Sequence, residues 1–284
     1  MNHCRFTATK IRIFHERHNA MIIDFHTHIF PDALAPRAIA SLQLTAGMPV
    51  VFDGTADGLN SLMKNENVDV SVVLNTVTNQ RQVEKVNAFA EETGKRYDNL
   101  IPFCSVHPLN ENIYEILSEL KSRGFKGIKH HPDYVDIDLD DERMHPLFYA
   151  AGELDMPVVI HAGYDPVSPD HAHATPDMIC NVLDKYPDLV LVAAHLGGVS
   201  RWDEVAEKLC GRNLYLDTAF CCERIGITVE QGKKIFGRHP HEKILFGSDA
   251  PWAKPLEVLD FISKIGLSEE SLELILHRNA EKLL

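Results

Sequence analysis

The chain has 284 residues, 45% of them hydrophobic, and a formal net charge of −13. That length and apolar share suit a single large domain, and the acidic balance argues against nucleic-acid binding through a basic surface. No run is long and apolar enough to span a membrane, and the six cysteines show neither zinc-ligand spacing nor a disulfide framework, so a cytoplasmic enzyme with reduced thiols is expected.

Residues 1–20 are mixed and basic, with Arg5, Lys10, Arg12 and Arg17 against Glu16, and they lack the apolar core of a signal peptide. They are expected to lie outside the domain, as a loose arm or as a misassigned start ahead of Met21, with His3, His15 and His18 irrelevant to any site. The domain itself is expected over 21–284. Its first strand, 21–25, is an Ile-rich run that leads into His26-Thr-His28. Residues two apart on a strand share a face, so both imidazoles can reach one metal ion. Alone, the pair is equally compatible with two surface histidines.

Further strands are expected at 69–75, 101–106, 126–130, 157–161, 189–194, 214–218 and 243–247. Several run out into a polar residue. His107 follows the third, Lys129 closes the fourth, His161 ends the fifth, His195 follows the sixth and Asp249 follows the eighth. One histidine at a strand end is often only a capped, solvated side chain. The same placement on five strands, the first, fourth, fifth, sixth and eighth, points to a shared site. Between the strands lie helical stripes: Ile113, Ile116, Leu117 and Leu120, ended by Gly124; Ile179, Val182, Leu183 and Tyr186, with Thr175 as N-cap and Pro176 at the first position; and Val258, Phe261, Ile262 and Ile265. Strand–helix alternation repeated about eight times, at roughly thirty residues per unit, predicts an α/β fold, a (β/α)8 barrel in one domain. Such barrels carry their sites at the C-terminal ends of the strands, and ring closure brings strand 8 beside strand 1.

The chain resembles the amidohydrolase superfamily, and within it the amidohydrolase-related branch of metal-dependent TIM-barrel hydrolases and decarboxylases. The resemblance rests on Asp24-Phe-His-Thr-His28, Gly127-Ile-Lys-His-His-Pro132, Val159-Ile-His-Ala-Gly163, Ala194-His-Leu-Gly-Gly198, Tyr215-Leu-Asp-Thr218 and Phe246-Gly-Ser-Asp-Ala-Pro251. These motifs span 21–251, and Asn279-Ala-Glu-Lys-Leu283 extends the likeness to the end. They are specific for the superfamily and silent on substrate.

The resemblance implies one or two divalent ions, Zn2+ first and Mn2+ next. His26, His28, His161 and Asp249 would hold one ion and leave a position for water, whose pKa the ion lowers. Asp249 would orient that water or take its proton. His195 would bind a second ion or polarise a substrate carbonyl. In some branches a lysine placed like Lys129 is carboxylated and bridges two ions; otherwise Lys129 would bind a substrate carboxylate, since an ammonium beside a dication is repelled. Phe30, His131, Tyr134 and Trp252 are candidate substrate contacts, and Arg201 a candidate clamp for a carboxylate. Each of these, taken singly, is more often packing or capping. His107 is a weaker pocket candidate. The Pro-rich stretch after the fifth strand, with His171 and His173, reads as a lid. Cys104 and Cys180 read as buried thiols, and Cys221 and Cys222 as reduced and structural.

The expected reaction is hydrolysis of a small-molecule ester, lactone or amide. The rival is non-oxidative decarboxylation of an aromatic or unsaturated acid, which uses the same ligands. A nuclease needs basic residues at the mouth, and these are scarce. A metal store would not need a positioned base such as Asp249. The expected partner is a small molecule, with no nucleic acid and no membrane. The resemblance leaves a homodimer open, but no exposed stripe announces one.

Overall fold

Apolar, β-branched runs that are buried on both faces suit a parallel sheet sheathed by helices. The structure, a computed structural model, describes residues 21–284, so the expectations for 1–20 lie outside the described residues. The strands are β1 Ile23–Thr27, β2 Val70–Leu74, β3 Leu100–Phe103, β4 Ile128–His130, β5 Val158–Ile160, β6 Leu191–Ala193, β7 Tyr215–Asp217 and β8 Ile244–Leu245. Neighbours pair in parallel in two arcs, β1-β2-β3 and β4 through β8 in chain order. Single parallel bridges, Cys104 with Ile128 and Thr27 with Ala250, span the two seams. At the second seam Phe25 N donates to Phe246 O and Asp249 N to His26 O, both at 2.8 Å. The result is the (β/α)8 barrel that the periodicity predicts.

The helices follow their sequence signals. Ile113–Ser122 stops just before Gly124, whose φ of 100° suits glycine. Thr175 caps Pro176–Lys185 by accepting from Met178 N at 3.3 Å. Pro255–Ile265 turns Val258, Phe261 and Ile262 inward.

The first strand departs from expectation. It runs two residues further than 25, so His26 lies within it. Between Asp24 and Thr27 its register against β2 slips: Asp24 pairs with Ser71, yet Thr27 pairs with Val73. That is one extra residue on β1, a bulge. Strict alternation would send Phe25 and His26 to opposite faces. Instead Phe25 packs at the centre with Val72, Leu74, Phe103, Val159, Val192 and Leu245, while His26 also faces inward and meets side chains from β4 and β7. The bulge therefore switches the strand from a core residue to site residues within one step.

Away from the mouth, His239 ties the chain leaving Val229–Phe236 to the approach of β7. It is buried, its Nε2 donates to Leu214 O at 3.2 Å, and its Nδ1 accepts from Gly211 N at 3.3 Å. Burial pushes its pKa down to about 4. The unfolded chain, with an ordinary histidine near ~6.5, binds the proton first as pH falls. Stability should thus be intact above ~6.5 and lost progressively as pH drops toward 4. His239→Gln, which offers both a donor and an acceptor, is expected to remove this loss, on the order of 3 kcal/mol summed over that pH range. Denaturant unfolding of both proteins across this pH range checks it.

Candidate metal centre

The mouth of the barrel is organised by a buried carboxylate at the end of β7. Asp217 Oδ2 accepts from His26 Nδ1 at 2.7 Å, and Asp217 Oδ1 accepts the backbone N–H of His195 at 2.9 Å and of Ala219 at 3.0 Å. His26 thus carries its proton on Nδ1 and aims a lone pair from Nε2 into the site. His28 is fixed the same way, with Nδ1 donating to Leu74 O at 2.8 Å. The two Nε2 atoms stand 3.1 Å apart, and Asp249 Oδ1 lies 3.1 Å from His28 Nε2 and 3.5 Å from that of His26. These three donor atoms lie within 4.8 Å of one another.

A second pair of rings repeats the pattern. His195 Nδ1 donates to Ala219 O at 3.0 Å, and His161 Nε2 donates to Tyr164 O at 3.2 Å. Their remaining nitrogens, His195 Nε2 and His161 Nδ1, face each other at 3.0 Å. Lone pairs this close repel unless a cation lies against both. Burial, reinforced by the neighbouring Lys129 charge, pulls the pKa of His26 well below its usual value. Burial first, then the charges of His131 and His195, does the same to His161. Neutral imidazoles and a carboxylate, preset in tautomer by outer hydrogen bonds, are a donor set that fits a divalent metal ion.

Lys129 lies in the middle of the short β4, with its Nζ 3.2 Å from His26 Nε2. It is 1% exposed, and burial pushes its amine down to about 8, against the opposing pull of Asp217, Asp249 and Asp165. His131 is sandwiched between Tyr134, at 3.8 Å between ring centres, and His161, at 4.3 Å. Its Nε2 is 3.4 Å from Asp165 Oδ2, and His131, His161 and Asp165 form a further group of donors within 4.8 Å.

His26, His28, Lys129, His161, His195 and Asp249 all line one cavity of about 760 Å³, together with Phe30, His131, Tyr134 and Trp252. Within it the tightest trio is His26, His28 and Asp249, and His161 lies against His195 and Asp165. Arg201 needs correction as a carboxylate clamp. It does not line the cavity; it pairs with Glu204 at 2.8 Å on the helix it precedes. Arg224 stands at the cavity instead, held by Trp252 O at 2.7 Å and Glu257 at 2.8 Å. His107 also lies outside the lining, its Nδ1 accepting from Leu109 N at 3.2 Å. Trp202 is buried and donates its indole N–H to His195 O at 3.0 Å. Burial holds the Cys221 thiol well above its ordinary pKa, which opposes reactivity.

Two backbone features went unforeseen. Asp249 and His195 take φ of 67° and 59°, left-handed conformations that cost a non-glycine residue about 1–3 kcal/mol and gather at functional sites. Asp24 was also missed as a brace. It accepts from Ser248 Oγ at 2.5 Å and Ser248 N at 2.8 Å, locking β1 to the turn that carries Asp249, and burial pushes its carboxyl up to about 7.

The amidohydrolase family model matches residues 23–284. The chain belongs to the amidohydrolase family. No curated protein matches it. Among solved structures, it is similar to an uncharacterised TIM-barrel protein from Bordetella bronchiseptica, with 19% identity over 93% of this chain and 98% of that one and a TM-score of 0.69. It is also similar to a protein from Acinetobacter baumannii described as a probable 2-pyrone-4,6-dicarboxylic acid hydrolase, solved with citric acid bound: 16% identity, coverage of 92% and 98%, TM-score 0.67. A third is a 5-carboxyvanillate decarboxylase from Novosphingobium aromaticivorans, complexed with manganese and a nitrobenzoic acid: 15% identity, coverage of 93% and 96%, TM-score 0.67. Amidohydrolases are enzymes, and the donor set above suits the divalent metal of the family.

Asp217 is expected to act through its hold on His26. Asp217→Asn keeps the shape but removes the charge that fixes the tautomer, so divalent-metal affinity should fall by about 10–100-fold. Zinc competition against a chromophoric chelator measures this.

Proposed function

We propose that this amidohydrolase hydrolyses a small-molecule ester, lactone or amide, with His26, His28, His161 and Asp249 as the residues that hold a divalent ion. The observation that carries this reading is the carboxylate of Asp249, poised 3.1 Å from His28 Nε2 on the edge of an open cavity. A divalent ion supplies Lewis acidity to a carbonyl oxygen and acidifies water. Asp249 orients the attacking water and takes its proton, then returns it to the leaving group. His195, its Nε2 turned inward by the Ala219 carbonyl, contacts the substrate carbonyl or a second ion. Zn2+ is the ion we assign first, since imidazole with carboxylate suits it, with Mn2+ as the alternative.

The number of ions turns on Lys129. A single ion leaves it as an amine that meets a substrate carboxylate. Two ions call for its carboxylated form as an anionic bridge, because a free ammonium would repel them. Phe30, His131, Tyr134 and Trp252 are assigned to the substrate. The working unit is 21–284, acting on a small molecule, with homodimer formation as a further expectation and no nucleic-acid or membrane partner. No helix among the described residues is long and apolar enough to cross a membrane. A cytoplasmic setting belongs to the same proposal, supported by five free thiols among the described residues.

A second reading, decarboxylation of a planar carboxylic acid, draws on the cavity wall. Phe30, Phe220 and Trp252 add aromatic surface to the cavity that Lys129 also lines. It uses the same donor set and differs in which atom is protonated: the leaving oxygen or nitrogen in hydrolysis, the carbon that loses CO2 in decarboxylation.

Isotope tracing separates the two. A panel of lactones, esters, amides and hydroxybenzoates is turned over in 18O-water. Hydrolysis places one labelled oxygen in the product acid; release of CO2 with proton uptake at carbon would replace the hydrolase reading by the decarboxylase one. Metal analysis of the same protein is expected to give one or two ions per chain, lost in His26→Ala. With Lys129→Ala, a fall from two to one or none identifies the bridge, and an unchanged single ion identifies the amine. Asp249→Asn should lower kcat by about 10²–10⁴-fold.

A further inference from the structure

Outside the barrel mouth, one cluster of metal-capable side chains has no part in the chemistry above. It sits where the loop after β5 folds down on the segment after β4. His171 and His173 come from the loop, and Asp138 from the segment; one donor atom from each lies within 4.8 Å of the others. The loop's earlier part, Tyr164 to Pro169, contributes to the cavity wall.

His173 is the informative member. Its side chain is 7% exposed. Its Nδ1 is 3.1 Å from Asp133 Oδ1, an oxygen of a fully buried carboxylate that also accepts from Ser168 Oγ. A buried carboxylate claims the imidazole proton at Nδ1, so Nε2 is left as a lone pair. That lone pair nevertheless faces a second carboxylate, Asp136 Oδ1, at 3.0 Å. A neutral imidazole cannot donate to both. Beside it, the ring of His171 lies 4.5 Å away at 88°, with its Nε2 2.6 Å from Asp138 Oδ1. Three carboxylates, Asp133, Asp136 and Asp138, therefore surround two imidazoles. Carboxylate to histidine to outward-facing nitrogen is the outer-sphere arrangement that orients a metal-binding histidine.

We propose that His171, His173 and Asp138, with Asp136 beside them, form a separate site for a divalent transition-metal cation that pins the loop after β5 over the cavity. Two imidazole nitrogens and two carboxylate oxygens make a set suited to zinc. Asp136 and His171 are exposed, at 95% and 54% of their side chains, so both can turn toward an ion without disturbing the core. The ion would join the loop to the segment that carries Tyr134 and His131, and so couple the cavity wall to metal availability. The Leu139 N–H already donates to His173 O at 2.8 Å, which sets the backbone of the two segments side by side.

The test uses the full chain already loaded with its catalytic metal. It is titrated with Zn2+ in competition with a chromophoric chelator, in the unmodified protein and in His171→Ala and Asp138→Ala. The unmodified protein should bind about one further equivalent that both variants lose. Amide hydrogen exchange in 164–175 should slow about tenfold on zinc addition in the unmodified protein alone. Equal equivalents in all three proteins would overturn the site. A further equivalent without slower exchange would remove the pinning role. The difference between proteins does not depend on how many ions the barrel mouth holds, so this outcome and that of the proposed reaction are separable.

Discussion

The mouth of this barrel depends on one buried charge. Asp217 is fully enclosed, and both its oxygens are committed: one to the His26 ring, the other to two backbone N–H groups around His195 and Ala219. Burial pushes its pKa up, while the neighbouring His195, the backbone N–H groups of His195 and Ala219, and Lys129 oppose the shift. The same carboxylate thus sets the tautomer on β1, the turn after β6 and the electrostatic welcome for the amine on β4. Removing it would leave three elements without their common reference, whereas removing any one of its partners leaves the rest in place.

Around that charge the backbone departs from regularity where side chains must be aimed. The bulge in β1 lets a strand that has just placed Phe25 in the core place His26 in the site. His195 and Asp249 take left-handed φ values just past the ends of their strands. Asp24 holds the second of these turns through Ser248. Such local costs persist only when surrounding contacts over-determine them. Here the seam between β1 and β8 supplies those contacts, since Asp249 N is bonded to His26 O.

The low dielectric of the mouth explains why three imidazoles collect there without charge. Burial lowers the proton affinity of His26, His131 and His161, and the Lys129 charge lowers it further. Rings that would repel as cations coexist as lone-pair donors, which is the state in which a metal ion or a polarised substrate can use them. The loop after β5 shows the opposite regime at the surface, where carboxylates outnumber imidazoles and a cation relieves the imbalance.

The sequence by itself determined the architecture and the roster of strand-end residues. Apolar runs of strand length alternating with helical stripes admit few other folds, and Thr175-Pro176 marks a helix start whatever surrounds it. The strand-end rule brought His26, His28, Lys129, His161, His195 and Asp249 to one cavity because barrel strands point their C-terminal ends to one side. What tertiary structure alone decided is how these residues are partnered. Asp217 looks like any aspartate after a strand until ring closure sets it against a histidine 191 residues away. Arg201 and Arg224 both follow strand ends, and only the direction of each side chain separates a helix-side ion pair from a cavity cation. The bulge, the tautomers and the pairing of His161 with His195 are products of register and long-range hydrogen bonding. Local sequence patterns carry no record of either, because pairing across a barrel is set by which strands meet and not by what lies next along the chain.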